Sequence, residues 1–185
     1  MLVLVLALSV SACGSNDESN KSSKDTNKQE KKEATKKTKS DGYEKFTKLK
    51  IGMTQSEVNA ILGEPTRVDK AYYYYTVSVN GKDLELEVWI NTESGLVIYL
   101  SADIDEEEYR DEFVDSKTDL SGVEGLESGT INTYDACVST FKTSGNLMNI
   151  DEDGNKQYFW INSQGGYMRV TFKADGSVKT YSGVC

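Results

Sequence analysis

Residues 49–65 read LKIGMTQSEVNAILGEP and carry the clearest helix signal in the chain. Thr54 and Glu57 fit a capping box, in which each side chain accepts a hydrogen bond from the backbone N–H of the other residue. The apolar residues that follow lie on one helical face, and Gly63 marks the end of the helix. A short amphipathic segment over residues 43–49 precedes it. The sequence therefore predicts two helices at the start of the folded module.

Residues 72–90 read YYYYTVSVNGKDLELEVWI and carry the clearest strand signal. Asn80-Gly81 suits the positive φ angles of a type I′ turn, and the residues on both sides alternate between apolar and polar. A second turn over residues 91–95 leads into a third strand over residues 96–101. Helices followed by a strand meander predict an α+β unit, with a sheet that helices cover on one face and that is open on the other.

The second half of the chain repeats the same order of helix and strand signals, although its sequence matches the pattern less closely. Thr133 or Asn132 is placed to cap a helix, and three strand segments follow it. These strands are predicted over residues 157–162, 167–173 and 177–182. We therefore predict two tandem helix-helix-antiparallel-sheet repeats, over residues 43–111 and 112–185.

The stretch over residues 49–65 resembles the signature of the beta-lactamase inhibitor protein-like (BLIP-like) superfamily, which is related to the SmpA/BamE-type lipoprotein domain. The resemblance extends over residues 43–185, although the second half retains only the outline of the motif, over residues 129–141. The resemblance implies a concave surface that binds a protein. Inhibition of an extracytoplasmic enzyme is one function that such a surface would have. An envelope-assembly or sensor lipoprotein that scaffolds membrane partners is the alternative that the same resemblance leaves open.

The first residues of the chain have the layout of a signal peptide. The apolar run over residues 1–12 is too short to span a bilayer, which needs about 20 apolar residues, and it ends in small residues. Residues 10–13, Val-Ser-Ala-Cys, resemble the bacterial lipobox, which implies cleavage before Cys13 and a diacylglyceryl anchor, with palmitate-type chains, on its thiol. An ordinary secretory signal with a fortuitous cysteine is the alternative. Because no Lys or Arg precedes the run, we expect the natural start to lie upstream.

Residues 14–42 contain no aromatic or branched aliphatic residue. Such a segment cannot bury enough apolar surface to offset its chain entropy, so residues 13–42 are predicted to be a lipidated cysteine and a disordered polar tether. We therefore expect the protein on the extracytoplasmic side of a cell membrane. Its Lys/Asn-rich composition favours a Gram-positive source.

Charge and residue types exclude several classes of function. With the eight lysines and six acidic residues of residues 1–42 set aside, 13 basic and 24 acidic residues remain, a formal net charge of −11. Nucleic acid is therefore not an expected partner. The chain has no histidine, which removes the commonest hydrolase and metal-site designs, so we expect no enzyme, cofactor or metal. Residues 151–155 resemble the first part of a calcium-binding loop, but the residues that follow lack the remaining calcium ligands of such a loop.

Alternation along the strands assigns the candidate binding residues. Leu84, Leu86, Val88 and Ile90 should face the helices, and Glu85, Glu87 and Trp89 the open side. The same alternation assigns Leu96, Ile98 and Leu100 of the third strand, and Phe159 and Ile161 of the second half, to the core under the helices. We expect this open face to bind an extracytoplasmic protein, because Tyr, Trp and Arg are enriched at binding hot spots. Cross-strand stabilisation by exposed aromatic residues is the alternative. The predicted binding residues are Tyr72, Tyr74, Glu85, Glu87, Trp89, Tyr99, Tyr158, Trp160, Tyr167 and Arg169.

Two further features carry weaker signals. Cys137 and Cys185 form a candidate disulfide in an exported chain, with two buried free thiols as the alternative. The acidic run over residues 103–112 joins the two repeats. We expect it to be a solvated connector, although it could also attract calcium or a basic partner.

Overall fold

The computed structural model describes residues 41–184. The predicted signal peptide, Cys13, the tether up to residue 40 and Cys185 lie outside the described residues. The helices are α1 (Asp41–Phe46), α2 (Gln55–Leu62), α3 (Glu107–Arg110), α4 (Glu124–Glu127) and α5 (Tyr134–Phe141), with a 3₁₀ turn at Asp111–Phe113. The strands are β1 (Arg67–Asp69), β2 (Tyr72–Val79), β3 (Lys82–Ile90), β4 (Val97–Ala102), β5 (Asn146–Ile150), β6 (Lys156–Ile161), β7 (Tyr167–Phe172) and β8 (Val178–Val184).

The predicted capping box at the start of α2 is confirmed. The Thr54 hydroxyl accepts a hydrogen bond from the Glu57 backbone N–H at 3.3 Å, and the Glu57 carboxylate accepts one from the Thr54 N–H at 2.8 Å. The Thr54 backbone N–H and hydroxyl both donate to the Glu57 carboxylate, and these two bonds lower the pKa of Glu57 because they stabilise its ionised form. The predicted turn is also confirmed, since Asn80 and Gly81 have φ angles of 52° and 86°.

The eight strands form a single antiparallel sheet in sequence order, β1 to β8, so the α+β class is confirmed. The two halves of the sheet are joined where Leu100 pairs with Ile150 and Ser101 pairs with Asn149. Sequence patterns missed β5, the strand that makes this junction, and the short edge strand β1. In β5 most residues are buried on both faces, so it lacks the alternation that marked the other strands.

All helices that pack on the sheet core cover the same face. This follows from one cross-strand row on that face, in which Val88, Leu100, Ile150, Lys156, Phe172 and Val178 are successive partners from β3 to β8. On this face, the Tyr75 hydroxyl of β2 donates to the Asn59 amide oxygen of α2 at 2.8 Å, and the Phe141 ring of α5 lies edge-on to the Trp160 ring of β6, with centroids 5.5 Å apart. We call this side the helix-covered face and the other side the open face.

The two halves share one local arrangement. Thr54 caps α2 and Thr133 caps α5, each accepting a hydrogen bond from a backbone N–H three residues later. Each threonine also forms an isolated antiparallel bridge with a residue just before a strand, Thr54 with Leu96 and Thr133 with Ser177. The capped helix of each half is thus fixed at the start of that half's last strand.

The predicted faces of β2 and β3 are confirmed, as are those of Tyr99 and Leu100 in β4, whereas the prediction for residues 96 and 97 is wrong. The pairing between β3 and β4 shifts, so that Trp89 pairs with Tyr99 while Ile90 pairs with Val97. This β-bulge inserts one residue and reverses the alternation that the sequence suggested. Val97 is consequently buried, and Leu96, expected in the core, is 37 % exposed.

The segment that joins the two halves, residues 103–118, is here called the linker, and it is more than a solvated connector. Its Ile104 and Phe113 are buried in the core. The Tyr109 hydroxyl donates to the Asp83 carbonyl at 2.7 Å, so the linker packs against the β2–β3 hairpin. Most of the carboxylates stay exposed, as expected for a run of like charges. Apolar positions hidden within the acidic run therefore anchor it.

Candidate protein-binding surface

Polar side chains line the middle of the open face across the whole sheet. In this row, Asn149 donates to Gln157 at 3.0 Å, and Gln157 donates to Thr171 at 3.1 Å. These bonds satisfy the amides of β5 and β6 without a partner molecule. The row consists of Arg67, Tyr74, Glu87, Ser101, Asn149, Gln157, Thr171 and Thr180, one residue from each strand.

Three aromatic residues form a neighbouring row on β2, β3 and β4, here called the aromatic row: Tyr72, Trp89 and Tyr99. The Tyr72 and Trp89 rings stack with centroids 5.3 Å apart and an interplanar angle of 24°. Trp89 remains 38 % exposed even so. The stack holds the indole in place and leaves one side of it accessible, which is the geometry of an anchor that binds with little loss of entropy.

Carboxylates lie beside the aromatic row. Glu85, Glu87, Tyr99, Ser101 and Asp103 line a depression of about 170 Å³ that sequence patterns did not predict. Partial burial raises the pKa of Glu87, and the nearby charges of Asp103 and Glu85 raise it further. The folded protein therefore holds these negative charges together at an energetic cost, which a bound cation would reduce.

Arg67 is a cation that lies beside these carboxylates. Its guanidinium lies 3.4 Å from the centroid of the Tyr74 ring and 3.2 Å from the Glu85 carboxylate. Both side chains of this ion pair are about half exposed, at 53 % and 54 %, so the pair is worth at most about 1 kcal/mol. Such a weak pair can be exchanged for a partner's cation.

Two predicted binding residues, Tyr158 and Trp160, lie on the wrong face. They pair with Val170 and Met168 and so point toward the helices. Trp160 is fully buried, and its indole N–H donates to the Thr143 carbonyl at 2.8 Å. The prediction failed because β6 is apolar on both faces, which removes the alternation that assigns them.

Phe159 and Ile161, expected under the helices, are on the opposite side. They pair with Arg169 and Tyr167 on the open-face side of the sheet, yet both are buried. They belong to the same buried cluster as the linker residue Phe113. The Asn146 amide donates to the carbonyls of both Phe113 and Phe159, at 3.1 and 3.2 Å, so the linker lies against this part of the sheet.

Tyr167 and Arg169 do lie on the predicted side, but contacts within the fold engage them. The Arg169 guanidinium forms an ion pair with the Asp105 carboxylate of the linker. Two guanidinium groups lie near the Tyr167 ring. The Cζ atom of Arg110 is 5.2 Å from the ring centroid, and the Cζ atom of Arg169 is 4.9 Å from it. The predicted binding residues that remain accessible therefore lie on β2, β3 and β4.

Cys137 is buried on α5, and burial raises the pKa of its thiol to about 12. Cys185 lies outside the described residues, so the bridge between them stays a prediction. Two alkylatable thiols in the unreduced, denatured protein would exclude it.

No protein-family model matches this chain, and no curated protein matches its sequence. Within residues 41–184, no helix is long and apolar enough to cross a membrane. The same residues contain no group of three or more His, Cys, Asp or Glu side chains that could hold a metal ion.

Proposed function

We propose that this chain is a lipid-anchored, extracytoplasmic module that binds a protein through the β2–β4 part of its open face. The proposal rests on the aromatic row, in which the exposed Trp89 indole stacks on Tyr72. This row lies directly beside the carboxylates of Glu85, Glu87 and Asp103. A solvent-exposed sheet does not need this concentration of aromatic surface for stability alone.

The partner surface that fits this arrangement is basic. The module carries a formal net charge of −11, and the raised pKa of Glu87 reflects carboxylates close together. A partner's lysine or arginine can lie against the Trp89 indole and donate to the Glu87 carboxylate, because aromatic faces and carboxylates both attract cations. Complementary charge of this kind raises the association rate and selects the partner.

The proposed architecture is a tandem pair of BLIP-like repeats. It is supported by the matching caps at Thr54 and Thr133, each bridged to the start of its half's last strand. Inhibition of an extracytoplasmic enzyme is one activity that such a surface would perform, since covering an enzyme's substrate cleft requires only tight binding.

Site-specific photo-crosslinking in the producing cell tests the binding surface. A photoreactive amino acid at Thr76, exposed on the open face, should capture a discrete protein partner, whereas the same group at Ser139, exposed on α5, should not. Trp89→Ala and Glu87→Gln should each reduce the captured product at least severalfold. Glu107→Gln in the linker is the matched control and should leave it nearly unchanged. Equal capture from both faces, or capture that is insensitive to Trp89, would exclude the proposal.

The anchor is tested separately. Cys13→Ser should release the protein into the medium or leave it unprocessed, because the acyl chains supply the membrane affinity. Unchanged membrane retention and mass would overturn the lipoprotein assignment without affecting the binding surface.

A further inference from the structure

A groove lies on the helix-covered face, in the gap between the helices of the two halves. Residues 43–51, the end of α1 and the loop after it, form one wall, and Tyr134 of α5 with residues 144–145 forms the other. Strands β5 and β6 form the floor. The volume of the groove is about 480 Å³, within the range of small-molecule sites in proteins.

The floor and walls of the groove are mainly apolar and aromatic. Leu147 and Ile150 of β5 lie at the bottom, and Leu49 and Ile51 line one side. The opposite side carries two tyrosine rings, Tyr134 and Tyr158, whose centroids are 4.7 Å apart. The Tyr134 hydroxyl donates to the Ser144 carbonyl at 2.9 Å, which holds this wall in place. Such a surface suits a hydrocarbon chain.

Two lysines give the groove its charge. Lys156 lies in a cross-strand row on the helix-covered face whose neighbouring members, Ile150 and Phe172, are apolar. Lys50 comes from the opposite wall. Both side chains are exposed, and neither forms an ion pair within the part of the chain that the structure describes. Glu44 is the one acidic residue among the lining residues, so the groove is basic in a strongly acidic module.

We propose that this groove binds a single-chain amphiphile with a carboxylate head, a ligand of the fatty-acid class. Lys50 and Lys156 bind the carboxylate, and the hydrocarbon chain lies on Leu147, Ile150 and the Tyr158 ring. Charge complementarity selects the anionic head, and the leucine, isoleucine and tyrosine side chains of the lining suit a hydrocarbon chain. This site is distinct from the open face and does not depend on the function proposed for it.

Isothermal titration calorimetry with dodecanoate, below its micelle concentration, tests the proposal. The full chain carrying Cys13→Ser is used, because it cannot be acylated and needs no detergent. Saturable binding of one dodecanoate per chain is expected, with affinity that falls two- to fourfold for each methylene removed in decanoate and octanoate. Acetate, the head group without a chain, should not bind measurably.

Lysine variants identify the site. Lys50→Ala and Lys156→Ala should each weaken dodecanoate binding about three- to fivefold, as expected for exposed charge pairs. Lys117→Ala, an exposed lysine outside the groove, is the matched control and should bind like the parent. Ser144→Trp, which fills the groove from an exposed wall position, should abolish binding while the far-UV circular dichroism stays unchanged.

Three results would overturn the proposal. The first is the absence of saturable dodecanoate binding. The second is equal binding of dodecyltrimethylammonium, which has the same chain with a cationic head. The third is identical affinity in the Lys50, Lys156 and Lys117 variants, which would show that the ligand binds elsewhere.

Discussion

Replacing each tryptophan by alanine should separate a core role from a surface role. Trp160 is fully buried, and truncating a buried tryptophan costs about 3–5 kcal/mol of stability. The change also leaves the Thr143 carbonyl without the donor that it has at 2.8 Å, which adds about 1 kcal/mol. Trp89 is 38 % exposed and stacks only on Tyr72, so its loss should cost about 1 kcal/mol or less.

Urea denaturation followed by far-UV circular dichroism measures both costs without relying on tryptophan fluorescence. For Trp160→Ala, a loss of about 4 kcal/mol should lower the unfolding midpoint by about 2 M, because urea slopes for small domains are about 1–3 kcal/mol per M. Trp89→Ala should shift it by less than about 0.5 M. Trp160→Phe is the control and should recover part of the loss, since it keeps the edge contact with Phe141 but not the hydrogen bond. Similar shifts for the two alanine variants would refute the assignment of faces.

Four further predictions follow from individual contacts. Thr133→Ala removes the α5 cap and should lower the free energy of unfolding by about 1 kcal/mol in the same urea assay. Glu87→Gln should stabilise the protein at pH 7, because the folded state disfavours the ionised carboxylate. The pH dependence of unfolding should show this gain vanish below about pH 4, where the parent is protonated both folded and unfolded. Asp105→Ala breaks the partly buried ion pair with Arg169 and should cost about 1–2 kcal/mol, with faster hydrogen exchange in the linker; unchanged exchange would contradict its anchoring role. In reduced protein, the Cys137 thiol should resist N-ethylmaleimide at pH 8 until the chain unfolds, because burial raises its pKa to about 12.

Local signals gave correct predictions wherever one physical effect decided the outcome. The α2 cap depends only on Thr54 and Glu57, and the first hairpin depends on the turn at Asn80. The faces of β3 were predictable because its apolar and charged residues alternate strictly. On the open face, Tyr72, Tyr74, Glu85, Glu87 and Trp89 were predicted correctly for the same reason.

Predictions failed where packing from a distant segment overrode the local pattern. A bulge with no marker in the sequence inverted the expected faces of residues 96 and 97. Tyr158 and Trp160 were misplaced because residues 158–161 of β6 are apolar on both faces, so alternation could not tell the two faces apart. The groove and the depression beside Glu87 escaped prediction as well, since each is formed by elements that are far apart in the chain.

The sequence by itself determined the class of fold, the acidic charge of the module and the local caps and turns, because these depend on composition and on contacts within a few residues. Only the tertiary structure decided that the eight strands form one sheet, that β5 joins its halves, and which aromatic residues reach solvent. Those outcomes depend on strand register and on which segment covers each face, and both are set by contacts between residues far apart in the chain.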